Sequence, residues 1–283
     1  FIATADGLLP PEWVEAFSWC RDEAPPLPDD VARGIIEAEL GDQMALVEWL
    51  DEAPLAAGSI GQVHRGRLVD GTDVVVKVRR PGLRRRFVSD IETLALLAAT
   101  ADKLNESVRA ANLPGFVSLF AQLALEELDF RLEAANLVDS IAVLETLDDE
   151  QMRSPRPVPG MVTERVLVME HLPGVSYARI DPAQEIDGER LLALGIQGVL
   201  EATLTYGVFH GDLHAGNVLV TDTGGFSLVD FGIVGRMDEK QRGALVSYLA
   251  AWAESDAAGQ IEAMREFGAV GPDVATDHLV AEL

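Results

Sequence analysis

One cysteine, no long apolar run and few positive charges set the first limits. Cys20 is the only cysteine in 283 residues. An internal disulfide is therefore excluded, and the cysteine usage fits the cytosol. No stretch of about 18 or more apolar residues occurs, so no transmembrane helix is expected. The chain opens at Phe1 without Met and has no basic region ahead of an apolar run. No signal peptide is expected, and the chain is expected to be a fragment of something longer. Lys and Arg number 22 against 47 Asp and Glu, a formal net charge of −25. That balance opposes nucleic-acid binding and favours solubility. The expected location is cytoplasmic, with any membrane association supplied by segments or partners outside this chain. What is present is an ordinary globular composition, 48% hydrophobic and 24% charged. At this length it can bury a core in one two-lobed domain or two small ones.

The stretch Val208–Gly235 carries the clearest chemistry. Asp212 is followed five residues later by Asn217, as H-x-D-x-x-x-x-N, and Asp230 opens D-F-G thirteen residues further on. Two short apolar runs, Val218–Val220 and Phe226–Val229, flank T-D-T-G-G and read as a β-hairpin. That hairpin would carry one metal-binding residue at the mouth of each strand. Phosphoryl transfer needs this set: an amide and a carboxylate for Mg²⁺, and a separate loop carboxylate for the attacking hydroxyl. Asp212 takes the base role, and Asn217 with Asp230 the metal. His210 and His214 are also spaced as an i,i+4 zinc pair. The lack of a Glu beside the first His, with one Cys in the chain, argues against zinc.

Upstream, Ile60–Val69 and Asp73–Val78 read as a second hairpin turning at Asp70-Gly71. A small-residue loop, Ala56-Ala57-Gly58-Ser59-Ile60-Gly61-Gln62-Val63, leads into it, and Lys77 sits inside its second strand. A lysine in an apolar strand needs a partner, because burying an unpaired ammonium is expensive. The layout is that of a nucleotide-covering loop followed by the lysine that pairs with phosphates. Six basic residues between Lys77 and Arg86 read as a solvated face at the start of a helix over about 83–103. A long helix is expected over about 116–147. Glu127, Asp129 and Glu133 in it are the candidates for the carboxylate partner of Lys77.

Smaller readings complete the chain. A helix begins near Pro11, and a Pro-rich linker, Ala24–Pro28, precedes a helix over Asp29–Leu40 with Asp29 or Asp30 as N-cap and Gly41 as stop. A further short helix is expected over 43–50. Met161–Glu170 reads as a β-pair that leads into a hinge. In a two-lobed kinase, backbone groups near Glu170 and Leu172 would receive adenine, with Met169 behind it. Helices follow over about 188–206, 238–254 and 258–267. No A-P-E occurs, and the 51 residues after Gly232 leave no room for a peptide-holding activation segment.

These residues resemble the UbiB-like (AarF, ubiquinone-biosynthesis type) atypical protein-kinase-like family. Its alanine-rich loop is similar to Ala56–His64, its E-x-D motif to Glu127-Leu128-Asp129, and its catalytic loop and D-F-G to Phe209–Asn217 and Asp230–Gly232. L-L-P-P-E near the start resembles the stretch after the family's K-x-G-Q motif, which this chain lacks. Gly58 stands where the family usually has a third Ala. The chain also lacks the C-terminal hydrophobic segments some members carry.

The resemblance implies an α+β, two-lobed protein-kinase-like fold with a helical N-terminal extension folding over the active site and a helical insert in the N-lobe. The expected division is 1–52 extension, 53–170 N-lobe and 171–283 short C-lobe. It implies ATP or ADP with Mg²⁺, and kinase or ATPase activity on a small-molecule or lipid- or quinone-related substrate. It pairs Lys77 with Glu133 and assigns Glu127 and Asp129 to the extension or metal region. Two other readings compete: a small-molecule phosphotransferase of the aminoglycoside/choline-kinase kind, and a nucleotide-binding regulatory pseudokinase. Ser59–Gln62 and Glu127-x-Asp129 favour the first family over the phosphotransferase, and the intact Lys77, Asp212, Asn217 and Asp230 speak against the pseudokinase.

Overall fold

The computed structural model describes residues 24–104, 113–146, 151–180, 187–222 and 224–269. The helix expected near Pro11 and Cys20 lie outside the described residues. The fold is α+β and two-lobed, as expected, and its N-terminal lobe is built on one antiparallel sheet. Strands β1 (Val47–Leu50), β2 (Ala56–Ala57), β3 (Gly61–Leu68), β4 (Asp73–Arg79), β6 (Pro157–Val162) and β7 (Val166–Glu170) form it in the order β1-β3-β4-β7-β6, with β2 also on β3. β5 (Met152–Arg153) belongs to a second sheet. Residues 43–50 are therefore not a helix: a 3₁₀ turn over Gly41–Leu46 gives way to β1. Val47 and Trp49 are β-formers, and pairing to β3 outweighs the helical spacing.

The two faces of this sheet do different work. Register pairs Gln62 with Val78 and His64 with Val76, and Val74, Val76, Val78, Val166 and Val168 form a core with helix α1 (Asp29–Leu40). α1 presents Ala32, Ile35, Ile36 and Leu40 to that face, at helical spacing. Its N-cap position is Pro28, without a side-chain cap, and Asp29 and Asp30 fall in the first turn, where they complement the helix dipole. Gly41 ends it at φ +51°, as expected of a stop. Helix α1, from the described part of the N-terminal extension, thus covers the back of the sheet.

The opposite face carries Val63, Lys77, Val75, Leu167 and Met169. Its apolar members pack on a core shared with Phe130, Leu137, Phe226, Leu228 and Phe231. Between β4 and the rest of the chain lie α2 (Leu83–Leu104) and α3 (Leu113–Glu126), packed on each other, then α4 (Phe130–Thr146). The single helix expected over 116–147 is broken. Asp129 accepts the Arg131 N–H at 3.1 Å and so caps α4. The Phe130 N–H goes to Glu164 O at 3.2 Å. Arg79, 7% exposed, holds the Leu128 carbonyl at the break and Glu164 at 3.1 Å. Tertiary partners satisfied the backbone there, so the helix could stop.

The second lobe starts with α5 (Gly188–Glu201), capped by Asp187 and continued by a π turn over Ala202–Tyr206. Gly207, at φ +71°, turns the chain into β9 (Val208–His210). The predicted hairpin is β10 (Val218–Val220) with β11 (Phe226–Leu228), extended by β5 and β8 (Val175–Ser176) in the order β5-β11-β10-β8. β12 (Val234–Arg236) pairs with β9 directly after D-F-G. α6 (Glu239–Ala253), with a capping box from Asp238 and Gln241, follows at once, and α7 (Ala257–Phe267) packs on it.

Candidate active site

Two distant stretches converge on Lys77. Its Nζ donates to both oxygens of Glu133 on α4, at 2.8 and 2.9 Å, and to Asp230 Oδ2 at 3.1 Å. It also lies 5.2 Å from the centre of the Phe130 ring. Of the three acids the sequence left open as partner, the fold selects Glu133. Burial alone would lower the Lys77 pKa, but the charges of Asp230 and then Glu133 outweigh it and hold the ammonium well above its ordinary value. Burial pushes Glu133 up to about 7, against the opposing pull of Lys77 and with Asp230 adding to the rise. Asp230 is held low. Burial would raise it, yet its side chain is 42% exposed, and Lys77 with the Gly232 N–H on Oδ1 at 3.0 Å wins.

The hairpin places Asn217 beside Asp230. Val218 pairs with Leu228, and one step outward the Val229 N–H donates to Asn217 O at 3.1 Å. The Asn217 amide nitrogen donates to the Asp212 carbonyl at 3.1 Å, which leaves the amide oxygen as the end suited to a hard cation. Asp212 projects from the loop with its side chain 48% exposed and its Oδ2 3.9 Å from His214 Nε2. The Gly216 N–H donates to His214 Nδ1 at 3.0 Å, so the proton of this imidazole sits on Nε2.

Two positioning residues were not assigned from the sequence. His210 accepts the Asp212 N–H on Nδ1 at 3.1 Å, and its Nε2–H donates to the Asp230 carbonyl. An N–H can only donate, so this pair of bonds fixes the neutral tautomer, and burial lowers its pKa in the same direction. The zinc reading fails with it, because both ring nitrogens of His210 are committed to backbone. Its ring also meets Phe231 edge-on at 4.9 Å. Asn136, one turn beyond Glu133, donates to Phe231 O at 2.9 Å and accepts from Arg236 at 3.1 Å. The i,i+3 spacing of Glu133 and Asn136 in E-A-A-N was the signal that they share a face.

The remaining candidates divide. Ala56, Ala57, Gly58, Ser59, Ile60 and Gly61 form the strand and turn above Lys77, closed by the Gly58 N–H on Gly61 O at 2.9 Å. Val63 stands opposite Lys77 in the register. Gln62 is a correction: it is 1% exposed and faces away from the cleft, accepting the Leu27 N–H at 2.7 Å and meeting His64 Nε2 at 2.7 Å. Strand alternation puts it there, between Gly61 and Val63. Asp129 is a second correction, since its carboxylate is spent on Arg131 at 2.6 and 2.8 Å and on the α4 cap. Glu127, at the break in the helices, stays near the cleft. Burial and Asp230 push it up to about 7, with Lys77 opposing and Asp212 adding. At the hinge, Met169 is 4% exposed on the cleft wall. The Glu170 N–H is taken by Arg156 O and the His171 N–H by Asp73 O, whereas the Leu172 N–H has no hydrogen-bond partner among the described residues. The basic run is also more than a solvated face: Arg79 and Arg80 bond inward, and Arg84, Arg85 and Arg86 are exposed.

The chain matches the model of the ABC1 atypical kinase-like domain over residues 20–264. It is 35% identical over 279 residues to an aarF domain-containing protein kinase of Arabidopsis thaliana, described as chloroplastic, covering 97% of this chain and 52% of that protein. A Mycobacterium tuberculosis protein without an assigned function is 38% identical over 282 residues, 95% of this chain and 56% of that one. The chain therefore spans about half the length of these relatives. Among solved structures, the Mycobacterium tuberculosis protein Rv3197 in complex with erythromycin superposes with a TM-score of 0.68 at 25% identity, over 97% of this chain and 70% of that one. No helix among the described residues is long and apolar enough to cross a membrane.

Proposed function

The chain belongs to the ABC1 atypical kinase-like family, and from that premise we propose that it binds a magnesium nucleotide in the cleft beneath the Ala56–Gly61 loop and transfers or hydrolyses its terminal phosphoryl group. The observation that carries this reading is the convergence of Glu133 and Asp230 on Lys77, with Asn217 beside Asp230. Glu133 and Asp230 both contact the Lys77 ammonium, and Glu127 lies near enough to Asp230, Lys77 and Asp212 to feel their charges, so the acids outnumber the ammonium and a divalent cation would offset them.

The residues fit Mg²⁺. Among the described residues no three acidic, His or Cys side chains form a metal cage. Mg²⁺ does not require one, because it takes one or two protein ligands and completes its shell with water and substrate phosphates. Asn217 and Asp230 would hold it, and when bound it would neutralise charge on the phosphates. Lys77, locked by Glu133, would pair with the phosphates nearer the nucleoside. The Leu172 N–H would donate to the adenine edge, with Met169 closing the wall behind. Asp212, open to solvent, would orient the acceptor hydroxyl or water and take its proton. ATP or ADP is the expected nucleotide, and a small molecule related to lipids or quinones the expected acceptor class. Peripheral contact with a membrane would come through partners or other segments.

The test is thermal unfolding with ATP or ADP, with and without Mg²⁺, on the wild type, Lys77→Ala and Asp230→Asn. Ligand bound to the folded state raises the melting temperature by mass action. A Mg²⁺-dependent rise that both variants lose is expected. No rise in the wild type, or full ATPase activity in both variants, would refute the reading.

A further inference from the structure

Arg80 follows the strand of Lys77 and makes three bonds at once. Its backbone N–H donates to Ile60 O at 2.9 Å, its Nε to Gly58 O at 2.9 Å, and its Nη2 to Pro25 O at 2.8 Å. The first two hold two carbonyls, those of Gly58 and Ile60, of the turn beside the cleft. Because a peptide is planar and trans, a Gly58 carbonyl turned toward Arg80 turns the Ser59 N–H the other way. That exposed N–H has no partner among the described residues. Arg80 thus sets the orientation of a peptide group whose unpartnered N–H is of the kind that meets anions.

The third bond reaches a different part of the chain. Pro25, Pro26 and Pro28 have no N–H, so Leu27 supplies the single backbone donor of Pro25–Pro28. That donor is captured by Gln62, one residue into β3 from the turn, at 2.7 Å. Gln62 is fixed in turn by His64, whose Nδ1 meets Asp51 O at 2.8 Å. A proline-rich segment is stiff and extended. This one is fastened at two points: Pro25 to Arg80, which also holds Gly58 O at one end of the turn, and Leu27 to Gln62, the residue after Gly61 at the other end.

We propose that Arg80 is the positioning residue of the cleft-covering turn, and that through it docking of the Pro25–Pro28 strap and nucleotide binding are coupled. The proposal rests on the nucleotide reading above. Coupling is reciprocal: if the docked strap tightens nucleotide binding by some factor, nucleotide tightens strap docking by the same factor. Glu127, Asp212 and the other cleft acids are not part of this link, which runs through backbone carbonyls and one guanidinium. A lysine at position 80 would keep the charge but lacks the planar fork that spans two acceptors.

Hydrogen exchange at Leu27, with and without Mg·ATP, tests this alongside nucleotide affinity in the wild type, Arg80→Gln and Arg80→Lys. In the wild type, nucleotide should slow Leu27 exchange. In Arg80→Gln the Leu27 amide should exchange faster without ligand, affinity should fall on the order of tenfold, and the nucleotide effect at Leu27 should vanish. Arg80→Lys should fall between the two, and it serves if Arg80→Gln fails to fold. Exchange in α7, remote from the strap, should be the same in all three, which a general loss of stability would not give. Unchanged affinity and unchanged Leu27 exchange in Arg80→Gln would overturn the proposal. So would a wild type that binds nucleotide without any effect at Leu27. A wild type that binds no nucleotide refutes the nucleotide reading and the coupling together, while faster ligand-free exchange in Arg80→Gln would still establish the staple.

Discussion

Replacing Lys77 by Met strands two carboxylates, whereas replacing Glu133 by Gln strands none. The ammonium left in Glu133→Gln still has Asp230 at 3.1 Å and a neutral amide oxygen in place of the carboxylate. In Lys77→Met, Glu133, at 4% exposure, loses the Lys77 ammonium and keeps a like charge nearby. Breaking a buried pair from that side costs about 3–5 kcal/mol when the remaining charge stays ionised. Loss of one charge-assisted bond from the other side costs roughly 1.5–3 kcal/mol. Lys77→Met should therefore be the more destabilising of the two at neutral pH.

The difference should depend on pH, and its sign follows from Glu133. The folded value, about 7, already lies above the ordinary 4.5, and Lys77 opposes the rise. Without Lys77 it climbs further. A raised carboxyl stabilises the fold in its protonated form, wholly below about 4.5, and this contribution is lost as pH rises through the folded value. Lys77→Met should then lie close to the wild type near pH 5 and fall away from it toward pH 8. Urea unfolding of the ligand-free proteins at several pH values measures this. A Lys77→Met deficit that is the same at pH 5 and pH 8, or smaller than that of Glu133→Gln at pH 8, would refute the reasoning.

Three further outcomes are expected. Gly58→Ala should fold and gain about 0.4–1 kcal/mol, because the new Cβ would meet only Gly61 O at 3.8 Å while the unfolded chain loses freedom. Gly61→Ala should lose stability by urea unfolding, since its Cβ would stand 2.5 Å from Val78 O, a backbone atom that cannot yield; equal effects at the two positions would contradict this. Glu127→Gln should flatten the pH dependence of ligand-free stability between about pH 5 and 8. Glu127 is raised to about 7 from 4.5, so the wild type loses its contribution as pH rises through that range, and an unchanged slope in the variant would count against the placement of Glu127 near Asp230.

The local chemistry of this protein was legible in the chain because it is written in short range. Asn217 and Asp230 lie on a hairpin whose turn and alternation fix their register, and a lysine inside an apolar strand demanded an acid from elsewhere. Helix α1, with its stop at Gly41, and the hairpin around Asp70-Gly71 follow from spacing and backbone preference alone. Which acid met Lys77 did not follow from spacing: on that ground Glu127, Asp129 and Glu133 were equal, and only the family resemblance singled out Glu133. The reason emerged where Arg79 and Glu164 took up the backbone at Leu128 and Phe130 and broke the helix between them. That break made Asp129 a cap, left Glu127 at the cleft and aimed Glu133 inward. The same holds for Gln62 and Arg80. Sequence adjacency put Gln62 in a loop motif and Arg80 in a basic run, but the pleat turned one to the back of the sheet, and the strap at Pro25 gave the other its partner. A sequence fixes what each residue can bond and which neighbours along the chain share its face. The partner that satisfies it is chosen by contacts between segments far apart in the chain, and these exist only once the sheet has closed on its helices.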